Sequence, residues 1–186
     1  GDRHWVYDEL AEFKQRIRLV AGPNSTYGGI SEDEKEILRN QVLNEELLDK
    51  EIRIEYWATL LKAVLKIPAA DRENLLSTYA YGLATGDYIT REDAVGGMVK
   101  LLTVGYIKGS ATAEELEPAN ALRDLGEISD RQDVLVRVAY SLGLVDSRTV
   151  DYFRPRDLLT VAEAVSMMNR VIAKFSISYS ESEEAP

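Results

Sequence analysis

The stretch from Gly143 to Lys174, GLVDSRTVDYFRPRDLLTVAEAVSMMNRVIAK, decides the fold of this 186-residue chain. Thr160 stands where a helix N-cap is expected, and Glu163 can return a hydrogen bond to the backbone of the cap, so TVAE is a capping box. Pro155 disfavours helix at Arg154 and pushes it towards an extended conformation, so FRPRD is predicted to be an ordered loop. Apolar residues then recur at helical spacing, at Val161, Val165, Met168, Ile172 and Phe175.

The same stretch resembles the second half of the S-layer homology repeat of bacterial surface proteins, GIIxGxxDGTFRPNDPITRAEA. The matching residues are Gly143, Phe153, Arg154, Pro155, Asp157, Thr160, Ala162, Glu163 and Ala164, and they align without a gap. One position departs from the family, because Val161 occupies the place of the arginine in ITRAE.

Composition limits the class of protein. With 45% hydrophobic residues the chain can bury a substantial core. Its net charge of −10 argues against a nucleic-acid partner, which requires clustered Lys and Arg. The chain has no cysteine, which rules out disulfides and thiolate metal sites. No apolar run approaches the length of a membrane span, so we expect no membrane insertion.

Two further helices follow the pattern of the first. In IRIEYWATLLKAVLKI, residues 52–67, Arg53 falls on Val161 when the two stretches are overlaid without gaps. In ITREDAVGGMVKLL, residues 89–102, Ile89 and Thr90 precede Arg91 as in the family's ITR. Each of the three helices is preceded by another predicted helix, at residues 5–20, 71–81 and 129–142. Such repetition indicates internal repeats. We expect the three helices to contact one another and to bury these residues between them: Trp57, Leu60, Val95, Met98, Val165 and Met168.

These patterns divide the chain. Residues 1–68 are a first repeat with a helical insertion at about 24–50, where Ser31 and Glu34 form a second capping box. Residues 69–120 are a second repeat and link, residues 121–175 are the third repeat, and residues 176–186 read as an acidic linker or tail. The first repeat has no capping side chain at Ile52, so we expect Asp49 to cap an earlier helix start.

The resemblance implies an all-α fold, with three helix-loop-helix repeats in a pseudo-threefold arrangement around a central helix bundle. It also implies non-covalent anchoring of an exported protein to the bacterial cell wall, through a secondary wall polysaccharide that often carries ketal-linked pyruvate. The expected location is extracellular, in the cell wall or S-layer, after removal of a signal peptide. Contacts with other S-layer proteins are the further partners it implies.

For the polysaccharide site we predict Arg91 and Arg53, together with Trp5, Thr90 and Glu163. The arginine fork can hold a carboxylate bidentately. A cation in the first turn of a helix is unfavourable against the helix dipole, which favours a functional reason for both arginines. Arg91 should contribute more to polysaccharide affinity than Arg53, and the groove at Val161, which lacks the arginine, should not bind the polysaccharide. Trp5 also fits a core or helix-end packing residue, and Glu163 is a cap first.

Other functions stay open. No P-loop, HExxH, EF-hand loop or nucleophile elbow is present, so we expect neither an enzyme nor a cofactor nor a metal site. The alternatives are a degenerate form of the fold used as a protein–protein interaction module and, less favoured, an unrecognised hydrolase with a carboxylate pair.

Overall fold

Helices form the regular structure of this protein. The computed structural model describes residues 3–81, 86–145 and 151–180, and these contain eight α-helices and no β-strand, which confirms the predicted all-α class. The α-helices are α1 Tyr7–Arg16, α2 Arg18–Ala21, α3 Glu32–Ile37, α4 Ile54–Val64, α5 Ala69–Leu76, α6 Arg91–Leu102, α7 Asp130–Ser141 and α8 Val161–Phe175. π-Helical turns at Leu38–Val42 and Ser77–Tyr81 continue α3 and α5. Short 3-10 helices lie at Glu45–Leu47, Glu117–Ala121 and Leu125–Glu127.

Both predicted capping boxes are confirmed. The Glu34 backbone N–H donates to Ser31 Oγ at 3.1 Å, and the Ser31 N–H donates to Glu34 Oε1 at 2.8 Å. At α8 the Glu163 N–H donates to Thr160 Oγ1 at 3.2 Å, and the Thr160 N–H donates to Glu163 Oε1 at 2.9 Å. These bonds satisfy backbone groups that a helix start leaves without an intrahelical partner.

The expected cap of α4 is wrong. The N-cap residue of α4 is Arg53, which makes no side-chain cap, and the Asp49 carboxylate instead contacts His4 Nε2 at 2.8 Å. Two predicted helices are also interrupted. The helix over residues 5–20 divides at Ile17, whose ψ of 17° leaves the helical region. The helix over 71–81 ends in the second π-turn, Ser77–Tyr81. Helix α6 packs closely against this turn at Gly97, where the Cβ of any other residue would lie 2.0 Å from the Tyr79 carbonyl oxygen.

Backbone hydrogen bonds join the N-termini of α4, α6 and α8 in a closed ring. In each bond the first residue of one helix donates to the carbonyl three residues before the N-cap of the next. The three bonds are Ile54 N–H to Asp87 O at 2.8 Å, Arg91 N–H to Asp157 O at 2.8 Å, and Val161 N–H to Lys50 O at 2.9 Å. Antiparallel bridges accompany them, between Glu51 and Thr160, Arg53 and Tyr88, and Thr90 and Leu158. The ring thus links equivalent positions of the three predicted copies, while their identity as S-layer homology repeats stays a prediction.

The core lies below this ring. Six residues predicted to be buried on α4, α6 and α8 are at most 1% exposed and belong to one apolar cluster: Trp57, Leu60, Val95, Met98, Val165 and Met168. Helix α1 packs on α8, and α7 packs on α6. None of the helices in the described ranges is long and apolar enough to cross a membrane.

Two polar segments pack on this core, the loop of the insertion and the start of the predicted tail. Tyr27, in the polar loop of the insertion, is only 3% exposed, and its ring meets Tyr179 edge-on with centroids 6.2 Å apart. The Tyr179 hydroxyl donates to the Val64 carbonyl at 2.6 Å, so the beginning of the predicted tail is held against the end of α4. The remaining tail residues 181–186 lie outside the described residues, as do residues 82–85 between α5 and α6.

Candidate functional site

A groove of about 550 Å³ opens where the start of α8 meets the segment that precedes α4. We call it the Trp5 groove. Its lining residues are Trp5, Asp49, Glu51, Arg154, Asp157, Leu158, Thr160, Ala162 and Glu163. It therefore brings together two of the predicted site residues, Trp5 and Glu163, which lie near opposite ends of the sequence.

His4 positions Trp5 at the edge of this groove. The His4 ring accepts the Val6 backbone N–H through Nδ1 at 3.2 Å, so Nε2 is the nitrogen that donates to Asp49. The two rings of His4 and Trp5 stack with centroids 5.7 Å apart and planes 30° from parallel. Trp5 is partly buried against the core and also lines the groove, so the packing role and the site role proposed for it are compatible.

Arg154 supplies a guanidinium to the Trp5 groove, and sequence reasoning missed it. Its Nη2 lies 3.1 Å from Glu163 Oε2 and its Nη1 lies 3.3 Å from Asp157 Oδ2, while 49% of the side chain is exposed. The groove at Val161 therefore contains a cation. The FRPRD loop supplies it, since the helix has valine at that position. The signal available in the sequence was the FRPRD motif itself.

The conformation of Arg154 differs from the prediction. Its φ of 61° lies in the left-handed region, whereas the following proline was expected to make it extended. Asp124 holds this conformation, because its two carboxylate oxygens accept the backbone N–H groups of Phe153 and Arg154, each at 2.8 Å. A non-glycine residue in this region is strained, and such strain persists only when the surroundings fix it.

Arg91 lies beneath the FRPRD loop rather than in a groove. Its side chain is 3% exposed, forms an ion pair with Glu163, donates through Nε to the Phe153 carbonyl at 2.8 Å, and lies 5.1 Å from the centroid of the Phe153 ring. The guanidinium is thus engaged by the protein itself. These are the contacts of a residue that fixes the loop and Glu163, and the ligand contact predicted for Arg91 stays a prediction.

Arg53 is the more accessible of the two predicted arginines. Its side chain is 41% exposed, with Nε 3.0 Å from Glu55 Oε1 and Nη2 3.9 Å from Asp87 Oδ1. The hydrogen bond to Glu55 raises the pKa of Arg53 above its usual value, so the group stays charged. The guanidinium carbon lies 5.9 Å from the centroid of the Tyr88 ring, which is 39% exposed. An arginine and an aromatic side chain therefore lie together at the surface, where the N-terminus of α4 meets the segment before α6.

Thr90 has a structural role in the described contacts. Its Oγ1 caps α6 by accepting the Asp93 N–H at 3.3 Å, and its backbone bridges Leu158. The five predicted residues are therefore distributed around the ring. Trp5 and Glu163 share one groove, Arg91 supports it from below, and Arg53 lies at another junction.

Carboxylates give the Trp5 groove a mixed charge. Asp49 contacts His4, Asp157 contacts Arg154, and Glu51 adds a third acidic side chain to the lining. Across the described ranges, no group of three or more His, Asp or Glu side chains is arranged to hold a metal ion.

Comparison with known proteins adds no relative. No family model matches this chain, and no curated protein matches it. The resemblance to the S-layer homology repeat therefore depends on the quoted residues alone.

Proposed function

We propose that this chain binds an acidic secondary polysaccharide of the bacterial cell wall and thereby anchors an exported surface protein without a covalent bond. The observation that carries the proposal is the Trp5 groove, in which an indole and a half-exposed guanidinium line the same cavity of about 550 Å³. A cavity of this size is within the range of about 300–1,000 Å³ that is usual for small-ligand sites.

The lining has the chemistry that a charged sugar requires. The indole of Trp5 offers an apolar surface to the C–H face of a sugar ring. Arg154 can hold a carboxylate such as that of ketal-linked pyruvate through charge-assisted hydrogen bonds. The carboxylates of Glu51 and Asp157 can accept hydrogen bonds from sugar hydroxyls.

A second junction of the ring carries a similar pair. Arg53 and Tyr88 present a guanidinium and an exposed aromatic ring, next to the carboxylate of Glu55. Two such sites on one polymer-binding domain would raise the overall affinity through effective concentration, because the second contact becomes intramolecular. The overall charge of −10 repels an acidic polymer at long range, so recognition must depend on these local arginines.

Sedimentation with purified wall sacculi tests the proposal. We expect the protein to pellet with intact sacculi and to stay in solution after the polysaccharide has been chemically stripped. Arg154→Gly and Arg53→Ala should each weaken binding about tenfold or more, which is the size of a lost charge-assisted contact of about 1.5–3 kcal/mol.

Lys174→Ala is the matched control, since it also removes one positive charge but lies near the far end of α8. Sedimentation that survives stripping would refute polysaccharide binding and support the protein–protein interaction module instead. Arginine variants that bind like Lys174→Ala would refute the proposed grooves.

A further inference from the structure

We propose that a second site, distinct from the grooves of the ring, binds an acidic peptide segment that presents one apolar side chain. The site is a cleft of about 260 Å³ between α1, α2 and the π-turn of the insertion. Its floor includes Ile17, Ala21 and Leu43, and the cations Lys14, Arg18 and Arg39 also line it. We call it the cationic cleft.

Interruptions of regular helix build this cleft. The break at Ile17 separates α1 from α2, and α2 ends at Gly22, where a Cβ would lie 2.3 Å from the Arg18 carbonyl oxygen. On the opposite side the π-turn Leu38–Val42 carries Arg39, and the Leu43 N–H closes it by donating to the Leu38 carbonyl at 2.8 Å. π-Turns within helical segments are rare and occur frequently at functional sites.

The three cations of the cleft have no side-chain partner among the residues that the structure describes. No hydrogen bond or ion pair joins the side chains of Lys14, Arg18 or Arg39 to any residue in the described ranges. Arg16, which lies between two of them in sequence, is by contrast paired with Glu12 at 2.7 Å and with Asn169 Oδ1 at 2.7 Å. Lys14 and Arg39 each lie in the last turn of a helical segment, where the helix dipole favours a cation.

Charge complementarity identifies the occupant. The chain has a net charge of −10, yet three cations without a partner in the described ranges surround this one apolar floor and make the cleft locally positive. A ligand with a single carboxylate would leave most of this positive charge unneutralised, whereas a peptide with several Asp or Glu residues can neutralise it. The cleft is smaller than the usual small-molecule site of about 300–1,000 Å³, and a single large side chain suits it better. Its apolar floor suits an apolar side chain better than sugar hydroxyls, which favours a peptide over the wall polymer as the occupant.

Titration followed by ¹H–¹⁵N NMR tests this proposal with the synthetic peptide GEELEEG. We expect saturable shifts centred on the amides of Ala21, Gly22 and Leu43. The peptides GEESEEG, without the apolar anchor, and GQQLQQG, without the charges, should each bind at least tenfold more weakly. Octanoate, which has one carboxylate and an apolar chain, should also bind more weakly than GEELEEG.

Variants locate the binding. The double variant Lys14→Glu/Arg18→Glu should weaken GEELEEG at least tenfold, and Arg39→Gln should weaken it about threefold. The control Lys100→Glu/Lys108→Glu makes the same change in net charge on exposed residues elsewhere and should alter binding less than twofold. Both double variants should pellet with sacculi like the parent, since the cleft is separate from the Trp5 groove.

The proposal is overturned if GEELEEG produces no saturable shifts at the cleft, if octanoate or GQQLQQG binds as well as GEELEEG, or if the control variant loses as much affinity as the cleft variant. Thermal unfolding of each variant confirms that it is folded before it is titrated.

Discussion

Replacing Arg91 with methionine should destabilise the protein strongly, because it removes the positive charge from a buried ion pair while keeping much of the apolar stem. Arg91 is 3% exposed and its partner Glu163 is 10% exposed. Removing one member of a buried pair costs about 3–5 kcal/mol, since the other charge stays buried without compensation. Arg154 still contacts the same oxygen of Glu163 at 3.1 Å, and a half-exposed pair of this kind contributes up to about 1 kcal/mol. The expected loss for Arg91→Met is therefore about 2–5 kcal/mol.

Urea unfolding followed by far-ultraviolet circular dichroism measures this loss without the screening that guanidinium salts introduce. Glu163→Gln and the double variant Arg91→Met/Glu163→Gln complete a mutant cycle. We expect the double variant to be more stable than the sum of the single losses predicts, with a coupling of at least about 1 kcal/mol, because the two groups touch.

Arg154→Gly is the matched comparison. It also removes a guanidinium from Glu163, but the side chain is 49% exposed and the glycine relieves a left-handed backbone at φ 61°. Its unfolding free energy should stay within about 1 kcal/mol of the parent. If Arg91→Met also lost less than about 1 kcal/mol, with additive effects in the cycle, Arg91 would not be the loop-fixing residue described here.

Three other predictions follow from burial and charge. Met168→Ala and Leu60→Ala should each lower the unfolding free energy by about 2–5 kcal/mol, since both side chains are 0% exposed; urea titration decides this, and losses under about 1 kcal/mol would place them outside the core. Arg53→Ala should leave thermal stability within a few degrees of the parent, because its ion pairs lie at the surface; a large drop in Tm would show that the residue is structural. Burial acts to raise the pKa of Glu34, but the Ser31 N–H and the Lys62 ammonium outweigh it and leave the pKa lowered from its usual 4.5. The stability that Glu34 contributes is therefore present above pH 4.5 and lost as the pH falls below it, so Glu34→Gln should flatten the acid limb of a stability–pH curve and an unchanged limb would contradict the assignment.

Local interactions explain what the sequence predicted well. The capping boxes at Ser31 and Thr160 join residues three positions apart, so the sequence contains both partners of every bond in them. Helical periodicity likewise predicted that Trp57, Met98 and Met168 lie in the core, because residues three or four positions apart lie on the same face of a helix.

Features that the sequence did not predict depend on contacts between residues far apart in the chain. The sequence predicted Arg91 for the site and missed Arg154, yet Arg91 lies buried on Phe153 and Arg154 lines the Trp5 groove. Whether a guanidinium is buried depends on the loop that folds over it, 62 positions away in sequence for the bond from Arg91 to Phe153. The left-handed turn at Arg154 depends in the same way on Asp124, which is 30 positions away from it.

The sequence by itself determined that this chain is helical, where α3 and α8 begin, and which helix faces are apolar, because those properties arise from backbone hydrogen bonds and side-chain spacing within a few residues. Only the tertiary structure decided that the starts of α4, α6 and α8 close into a ring, that Trp5 and Glu163 share a groove, and that Lys14, Arg18 and Arg39 surround a cleft. Each of these features joins segments far apart in the chain, and their meeting is fixed by the packing of a common core rather than by any local signal.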